Sequence, residues 1–281
     1  MPFNLPGLLV PFQLLFNPRL VLPALTVKDI RYLDFTALRN AGYRGAVFDK
    51  DNCLTLPSRD GLVPELTDAW KECRDAFGEG NVLIVSNSAG TKWDTALIQA
   101  ESVTNHLRVP VLRHASLKPS YRCISGIRTY FLSLPRPIAD HELIVVGDRI
   151  FTDVVMANRM KPRRAQTTPE TSSPSPAEKQ DAASSLPFPH LSNPEKANAP
   201  LVPLPSGPLA IYTSGVWQRE SMAMRWVEKT LIESVRRFTK EEPDRAIEHA
   251  FINRTAAEML ERQERENNSW RSRILRTFGR R

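Results

Sequence analysis

Cysteine is scarce in this 281-residue chain, which contains only Cys53, Cys73 and Cys123. The number is odd and the spacing shows no pairs, so the cysteines do not have the pattern of a disulfide framework. We therefore expect three reduced thiols and a compartment that is not oxidising.

The N-terminal segment lacks an apolar run free of proline. Its sequence, MPFNLPGLLVPFQLLFNPRLVLPAL, contains five prolines and one charged residue, Arg19. Because proline breaks helices and a membrane-spanning helix needs about 20 consecutive apolar residues, a transmembrane span is excluded. The basic start and small-residue cleavage site of a secretory signal are not evident either. The lack of acid before Asp29 is compatible with mitochondrial import, although arginine and serine are few, and we expect the segment to lie on a membrane surface or to pack under the domain.

The overall composition is typical of a globular protein of one or two domains, with 41% hydrophobic residues. The net charge of +7 and the isoelectric point of about 9.5 favour an anionic partner, such as nucleic acid, a phosphorylated substrate or anionic lipid. No recognisable nucleic-acid-binding module accompanies this charge, and we therefore expect no nucleic-acid partner.

Continuous apolar runs alternate with amphipathic helical patterns along most of the chain. This alternation predicts an α/β fold: a doubly wound parallel five-stranded sheet, covered on both faces, with its ligand site at the carboxyl ends of the strands. The predicted strands are 45–49, 81–86, 109–112, 142–147 and 209–213, and the predicted helices are about 64–77, 91–106, 119–133 and 151–160.

Residues 161–208 interrupt the pattern. They contain eleven of the 23 prolines, together with many serine, threonine, asparagine and alanine residues. Such a composition buries too little apolar surface to offset the entropy of ordering, so we predict a disordered insertion. The strand pattern resumes afterwards, which gives a core at 41–160 and 209–217, an N-terminal segment at 1–40 and a helical basic extension at 218–281.

Polar side chains follow the predicted strands where these strands end. They are Asp49 and Asp51, then Ser86 and Asn87, then Lys118, and finally Asp148 and Asp153. Each group alone has an ordinary explanation as a helix cap, a turn or a solvated charge. Their occurrence at successive strand ends indicates one site at the carboxyl edge of the sheet.

The order of these groups, DxD, then SN after an apolar run, then K, then GDxxxxD, resembles the haloacid dehalogenase-like phosphatase superfamily. Within it, the strings FDKDNCLT, IVSNSAG, VPVLRHASLKP and VGDRIFTDVVMAN are similar to the mitochondrial phosphatidylglycerophosphatase family, as are LLFNPRLVLPAL and SGVWQRE. The resemblance covers roughly residues 5–160 and 209–220. The insertion and the C-terminal tail depart from it.

The resemblance implies hydrolysis of phosphatidylglycerophosphate to phosphatidylglycerol and phosphate, a step of cardiolipin biosynthesis. Asp49 would be the nucleophile and would form an aspartyl-phosphate. Asp51 would protonate the leaving alkoxide and then deprotonate the hydrolytic water. Mg²⁺ would be held by the side chains of Asp49 and Asp148 and by the backbone carbonyl of Asp51.

The remaining residues of the pattern have supporting roles by the same resemblance. Ser86 and Asn87 would donate hydrogen bonds to the transferring oxygens, and Lys118 would supply a fixed positive charge. Asp153 would orient metal-bound water or Lys118.

The short connections between the motifs leave no room for a cap domain. About a dozen residues separate Asp51 from the first predicted helix, and one helix and one strand fill the span from Asn87 to Lys118. An open site suits a lipid headgroup, a phosphoprotein or a nucleic-acid end. Arg113 and His114 could contact the glycerol-phosphate part of a headgroup; the alternative is a structural pair at a strand end.

The C-terminal extension contains two amphipathic patterns. The tail SWRSRILRTFGRR is typical of an interfacial helix on anionic lipid, and a helix packed on the domain is the alternative. The pattern of residues 218–240 predicts an amphipathic helix that packs on the domain. The alternative is that its apolar stripe forms a homo-oligomer interface. The apolar residues of the tail are Trp270, Ile274, Leu275 and Phe278, and those of the packing helix are Met222, Trp226, Leu231, Val235 and Phe238.

We therefore expect a peripheral enzyme on the matrix side of the mitochondrial inner membrane, acting on a phospholipid at an anionic surface. One alternative is a phosphatase of the same fold that acts on a phosphoprotein or a small soluble ester. Another is a non-catalytic membrane-associated scaffold, but that role does not need the complete set of Asp49, Asp51, Lys118 and Asp148.

Overall fold

The structure is a computed structural model that describes residues 10–14, 16–162, 206–218, 222–240, 244–263 and 265–266. Nearly all of the predicted insertion at 161–208 lies outside these residues, as does the predicted tail helix with Trp270, Ile274, Leu275 and Phe278.

A parallel sheet of five strands forms the centre of the fold. Its order is β1-β5-β4-β2-β3, and every neighbouring pair is parallel. All residues of β2 to β5 are buried, because helices cover both faces of the sheet. The predicted doubly wound α/β fold is confirmed. The strands are β1 (Leu25–Val27), β2 (Gly45–Phe48), β3 (Val82–Ile84), β4 (Leu143–Gly147) and β5 (Leu209–Thr213).

The register of the sheet brings the ends of three strands to the same level. Phe48, the last residue of β2, lies opposite Ile84 of β3 and Val146 of β4. The residues that follow these strands therefore emerge side by side at one edge.

The helices pack in two layers, one on each face of the sheet. One layer has its apolar core around Phe35, Trp70 and Phe251, and the other around Phe131 and Ile232. Side-chain caps fix several helix starts; for example, the Ser120 hydroxyl accepts the N–H of Cys123. The helices are α1 (Val10–Leu14), α2 (Phe35–Asn40), α3 (Thr67–Phe77), α4 (Ile98–Leu107), α5 (Tyr121–Leu132), α6 (Val155–Met160), α7 (Met222–Thr239) and α8 (Arg245–Phe251), and residues 254–263 are also helical.

The predicted strand at 109–112 is wrong. This segment makes a single parallel bridge, from Val111 to Ile84. Pro110 has no N–H, so the ladder cannot extend in the N-terminal direction. The fifth strand is instead β1, which pairs with β5 inside the segment 1–40.

The apolar stripe predicted for α7 is also wrong in part. Trp226 and Phe238 are 69% and 84% exposed, whereas Ile232 and Val235 are buried. Leu231 is half-buried, and the side chain of Met222 lies outside the described part of the structure. The face of α7 that meets the domain is therefore rotated away from the expected stripe.

The three cysteines are buried and unpaired. Among the residues that the structure describes, no helix is both long enough and apolar enough to cross a membrane. In the N-terminal segment, Val10 and Val21 are buried in the core, and Phe12 and Phe16 are exposed.

Candidate active site

A buried lysine joins the ends of two strands. Asp49 directly follows β2, and its N–H donates to the carbonyl of Val146, which continues the pairing with β4 (2.9 Å). Lys118 precedes α5, and its Nζ donates to Asp49 Oδ1 (2.6 Å) and to Asp153 Oδ1 (2.7 Å). All three side chains are almost inaccessible to solvent. The predicted nucleophile, cation and supporting carboxylate thus meet at the carboxyl edge of the sheet.

The electrostatics of this triad follow from its burial and its short contacts. Burial alone would lower the pKa of Lys118, but the carboxylates of Asp153 and Asp49 raise it above the usual value. Lys118 is therefore charged at neutral pH. Burial raises the pKa of Asp153 to about 6, and the contact with Lys118 offsets part of that effect. Lys118 thus stabilises two carboxylates that would otherwise repel each other.

A third carboxylate completes an acidic cluster. Oxygen atoms of Asp49, Asp148 and Asp153 lie within 4.8 Å of one another. Asp148 is fully buried, and burial together with the nearby Asp49 and Asp153 raises its pKa. Its Oδ1 atom is buried and has no hydrogen-bond partner. A buried carboxylate oxygen of this kind fits a hard divalent cation, which carboxylates bind through oxygen.

Glycine is required immediately before this cluster. A Cβ atom on Gly147 would lie 2.4 Å from the carboxyl carbon of Asp153. The last residue of β4 must therefore lack a side chain for Asp153 to reach Lys118.

The second aspartate of the DxD motif has separate contacts. The carboxylate of Asp51 accepts hydrogen bonds from Lys50 Nζ (2.7 Å), Ser88 Oγ (2.9 Å) and Ser58 N (3.1 Å). Lys50 is fully buried and also donates to the carbonyl of Arg59. Asp51 itself is partly exposed. A carboxylate that is held in one orientation and open to solvent can exchange a proton with a substrate or with water.

The residues after β3 position Asp51 and Lys118. Because the one proton of the Ser88 hydroxyl goes to Asp51, the Ser86 hydroxyl donates to Ser88 Oγ (2.9 Å). Asn87 Oδ1 accepts the backbone N–H of Lys118 (2.7 Å), and Asn87 Nδ2 donates to the carbonyl of Lys118 (3.4 Å). In this arrangement Asn87 fixes the backbone from which the lysine side chain extends.

Arg113 and His114 differ in their placement. The ring nitrogens of His114 lie 2.9 Å from the carbonyl oxygen of Ser86 and 2.6 Å from that of Ser116. Burial lowers the pKa of His114. This residue therefore braces the loop after β3 against the loop before Lys118, whereas Arg113 is exposed.

Sequence reasoning missed Ser88, which donates a hydrogen bond to Asp51, and Arg225 of α7. Arg225 donates from Nη2 to Asp148 Oδ2 and from Nη1 to the carbonyl of Asp148 (3.3 Å). Arg225 and Glu228 stand at helical spacing from Ile232, but the sequence alone does not show that this face of α7 packs inwards.

Comparison with known proteins places the chain in a family. Residues 5–163, more than half of the chain, match the family described as mitochondrial PGP phosphatase. The chain is 40% identical over 176 residues to the chloroplastic phosphatidylglycerophosphate phosphatase 1 of Chlamydomonas reinhardtii, covering 62% of this chain and 63% of that protein. It therefore spans less than two thirds of the length of this relative.

Two fungal relatives are covered more fully. The chain is 36% identical over 157 residues to the mitochondrial phosphatidylglycerophosphatase of Saccharomyces cerevisiae, covering 56% of this chain and 83% of that protein. It is 31% identical over 169 residues to the probable mitochondrial phosphatidylglycerophosphatase of Schizosaccharomyces pombe, covering 57% and 80%. No solved structure matches the chain significantly. On the strength of the family match and of these relatives, the chain belongs to the mitochondrial PGP phosphatase family.

Proposed function

We propose that the protein is a Mg²⁺-dependent phosphatase that hydrolyses phosphatidylglycerophosphate to phosphatidylglycerol and inorganic phosphate, in cardiolipin biosynthesis. The observation that carries this proposal is the buried cluster of Asp49, Asp148 and Asp153, in which Lys118 binds Asp49 and Asp153. Relatives that bear the name of this activity support the choice of substrate.

Asp49 supplies the nucleophile. A carboxylate oxygen of Asp49 attacks phosphorus, the new O–P bond forms, and the ester P–O bond breaks with its electron pair leaving on the glycerol oxygen. Lys118 binds Asp49 Oδ1 at 2.6 Å and so fixes the carboxylate for this attack. Water then attacks phosphorus of the aspartyl-phosphate and releases phosphate, which regenerates Asp49.

Asp51 moves the protons. In its acid form it protonates the departing glycerol oxygen, and as a carboxylate it then accepts a proton from the attacking water. The hydrogen bonds from Lys50, Ser58 and Ser88 hold its oxygens in one orientation. Because the side chain is partly exposed, the leaving oxygen and the attacking water can reach Asp51.

The cation site balances the charges of the reactants. Asp49 and Asp148 would hold Mg²⁺ through carboxylate oxygens, one of them the unpartnered Oδ1 of Asp148, with the backbone carbonyl of Asp51 as a further ligand. A bound Mg²⁺ would reduce the repulsion between the carboxylate nucleophile and the phosphate dianion. Lys118 adds a second, permanent positive charge that the protein itself supplies.

The substrate is a phospholipid in an anionic membrane, and the protein binds that membrane peripherally, on the matrix side of the mitochondrial inner membrane. The net charge of +7 favours attraction to such a surface. The two fungal relatives carry mitochondrial names, which supports the organelle.

The test is phosphate release from phosphatidylglycerophosphate in vesicles, with and without Mg²⁺. We expect Mg²⁺-dependent release that is lost in Asp49→Asn, because this change removes the attacking charge and a metal ligand but keeps the shape. Asp75→Asn, at an exposed position of α3, is the matched control and should behave as wild type. Release from soluble phosphate esters or phosphopeptides with equal efficiency, or a tenth of wild-type turnover in Asp49→Asn, would contradict the proposal.

A further inference from the structure

Helix α7, in the C-terminal extension, buries charged side chains against the candidate active site. Arg225 is 7% exposed and Glu228 is 2% exposed, and both lie on the same face as the buried Ile232 and Val235. Buried charges reduce stability unless they are paired and hydrogen-bonded. The partners of these two residues therefore indicate why α7 retains them.

Arg225 has its partner in the acidic cluster. Its guanidinium donates to Oδ2 and to the backbone carbonyl of Asp148, so that it binds both the side chain and the main chain of one residue. The other carboxylate oxygen, Oδ1, is buried and has no hydrogen-bond partner. The contact thus fixes the rotation of the Asp148 carboxylate and leaves one oxygen for a cation.

Glu228, one turn further along α7, is tied to the segment that follows Asp148. The backbone N–H of Phe151, in the π-helical segment Ile150–Val154 that leads into α6, lies near its carboxyl group and offsets part of the rise in pKa that burial causes in that group. Helix α7 therefore contacts the chain at Asp148 and again three residues later. Two such contacts hold the helix in register with the end of β4.

We propose that α7 supplies Arg225 as a positioning residue that orients Asp148 for binding of a divalent cation. The C-terminal extension is then a part of the active site, although it lies outside the residues 5–163 that match the family. Groups that orient a metal ligand commonly change metal affinity by about 10–100-fold when they are removed. This proposal rests on the proposed function, in that it takes Asp148 as a metal ligand.

The test measures cation binding separately from catalysis. Purified wild type, Arg225→Gln and Arg225→Lys are titrated with Mn²⁺, with free Mn²⁺ followed by electron paramagnetic resonance, and with Mg²⁺ in a calorimeter. We expect Arg225→Gln to raise the Kd for the cation by about 10–100-fold. Arg225→Lys should recover part of the lost cation affinity, because lysine restores the charge but not the planar guanidinium that donates two hydrogen bonds to one residue. Arg237→Gln, at an exposed position of the same helix, should keep the wild-type Kd.

Thermal unfolding of the metal-free proteins separates positioning from mere support of the fold. If Arg225 only supports the fold, Arg225→Gln lowers the melting temperature while the folded protein binds Mn²⁺ with the wild-type Kd, and the proposal is overturned. Tighter binding would also overturn it, because Arg225 would then compete with the cation. Should Arg225→Gln not fold, the same comparison is made with Arg225→Lys, for which an unchanged Kd refutes the proposal. A wild type that binds no cation and releases no phosphate refutes the proposed function itself.

Discussion

Replacement of Lys118 by methionine tests the electrostatics of the site. Methionine keeps most of the length and apolar volume of lysine but removes the charge that binds Asp49 at 2.6 Å and Asp153 at 2.7 Å. Removing one partner from a buried ion pair costs about 3–5 kcal/mol, because the remaining charge is left uncompensated. For a domain of about 150–250 residues, each kcal/mol lowers Tm by about 2–4 °C, so the expected fall is about 6–20 °C.

The loss should depend on pH in a definite direction. Without Lys118, the pKa of Asp153 rises further above its wild-type value of about 6. A group with a raised pKa in the folded state contributes stability below its unfolded pKa and loses it as pH rises through the folded pKa. The metal-free variant should therefore lose stability more steeply than wild type between pH 5 and pH 8.

The assay is urea unfolding of metal-free wild type and Lys118→Met at pH 5 and pH 8, followed by circular dichroism. Lys71→Met, at an exposed position of α3, is the control for loss of a lysine. Adding Asp153→Asn to Lys118→Met should recover part of the stability, since it removes one of the two carboxylates that the first change leaves without a positive partner. A loss below about 1 kcal/mol that is equal at both pH values would refute the reasoning, because it is the size expected of an exposed pair.

Three further predictions concern single residues. Asp51→Asn should slow alkyl phosphate esters, which have poor leaving groups, much more than activated aryl phosphates; equal losses of kcat on both would exclude proton transfer to the leaving group. Burial raises the pKa of Glu228 from 4.5 to about 7, so the free energy of unfolding of wild type should fall by up to about 3 kcal/mol as pH rises from about 4.5 to 7. Glu228→Gln should flatten the dependence of the urea midpoint on pH, and an unchanged slope would contradict this assignment. Gly147→Ala should destabilise the metal-free protein by about 1–3 kcal/mol because its Cβ would meet Asp153, whereas Gly61→Ala has space and should be neutral; equal effects would contradict the steric argument.

Much of the site was predictable because parallel strands collect their following residues at one edge. The apolar runs before Asp49 and Asp148 are continuous, and each run identified its strand and the residue after it. The same reasoning failed at 109–112, where apolar residues suggested a strand but Pro110 limits the pairing to one bridge. It also missed β1, because this strand has only three residues, too few to show a strand-like alternation of apolar and polar residues within an apolar, proline-containing segment.

Arg225 was not predictable by this route. Its partner, Asp148, is 77 residues away in the chain, and the predicted insertion separates them. Sequence patterns identify which face of a helix is apolar, and on α7 the large apolar residues Trp226 and Phe238 suggested the wrong face. The buried face combines charged and apolar side chains, because it packs partly on an acidic cluster.

The position of β5 in the sheet determines what would happen if the chain were cleaved into two fragments. This strand lies between β1 and β4, yet it follows the predicted insertion in sequence. Lys161 and Gly207 are neighbours in space, as a Cβ on Gly207 would lie 2.8 Å from the Cα of Lys161. Cleavage of the chain between Lys161 and Gly207 would therefore give two polypeptides whose new ends lie close together in the folded protein. The N-terminal piece alone would carry β1 without its partner and β4 with an open edge, a state that favours aggregation. When the two pieces are produced together, the C-terminal piece returns both β5 and Arg225, so that reassembly of the sheet and completion of the acidic cluster occur in the same association event.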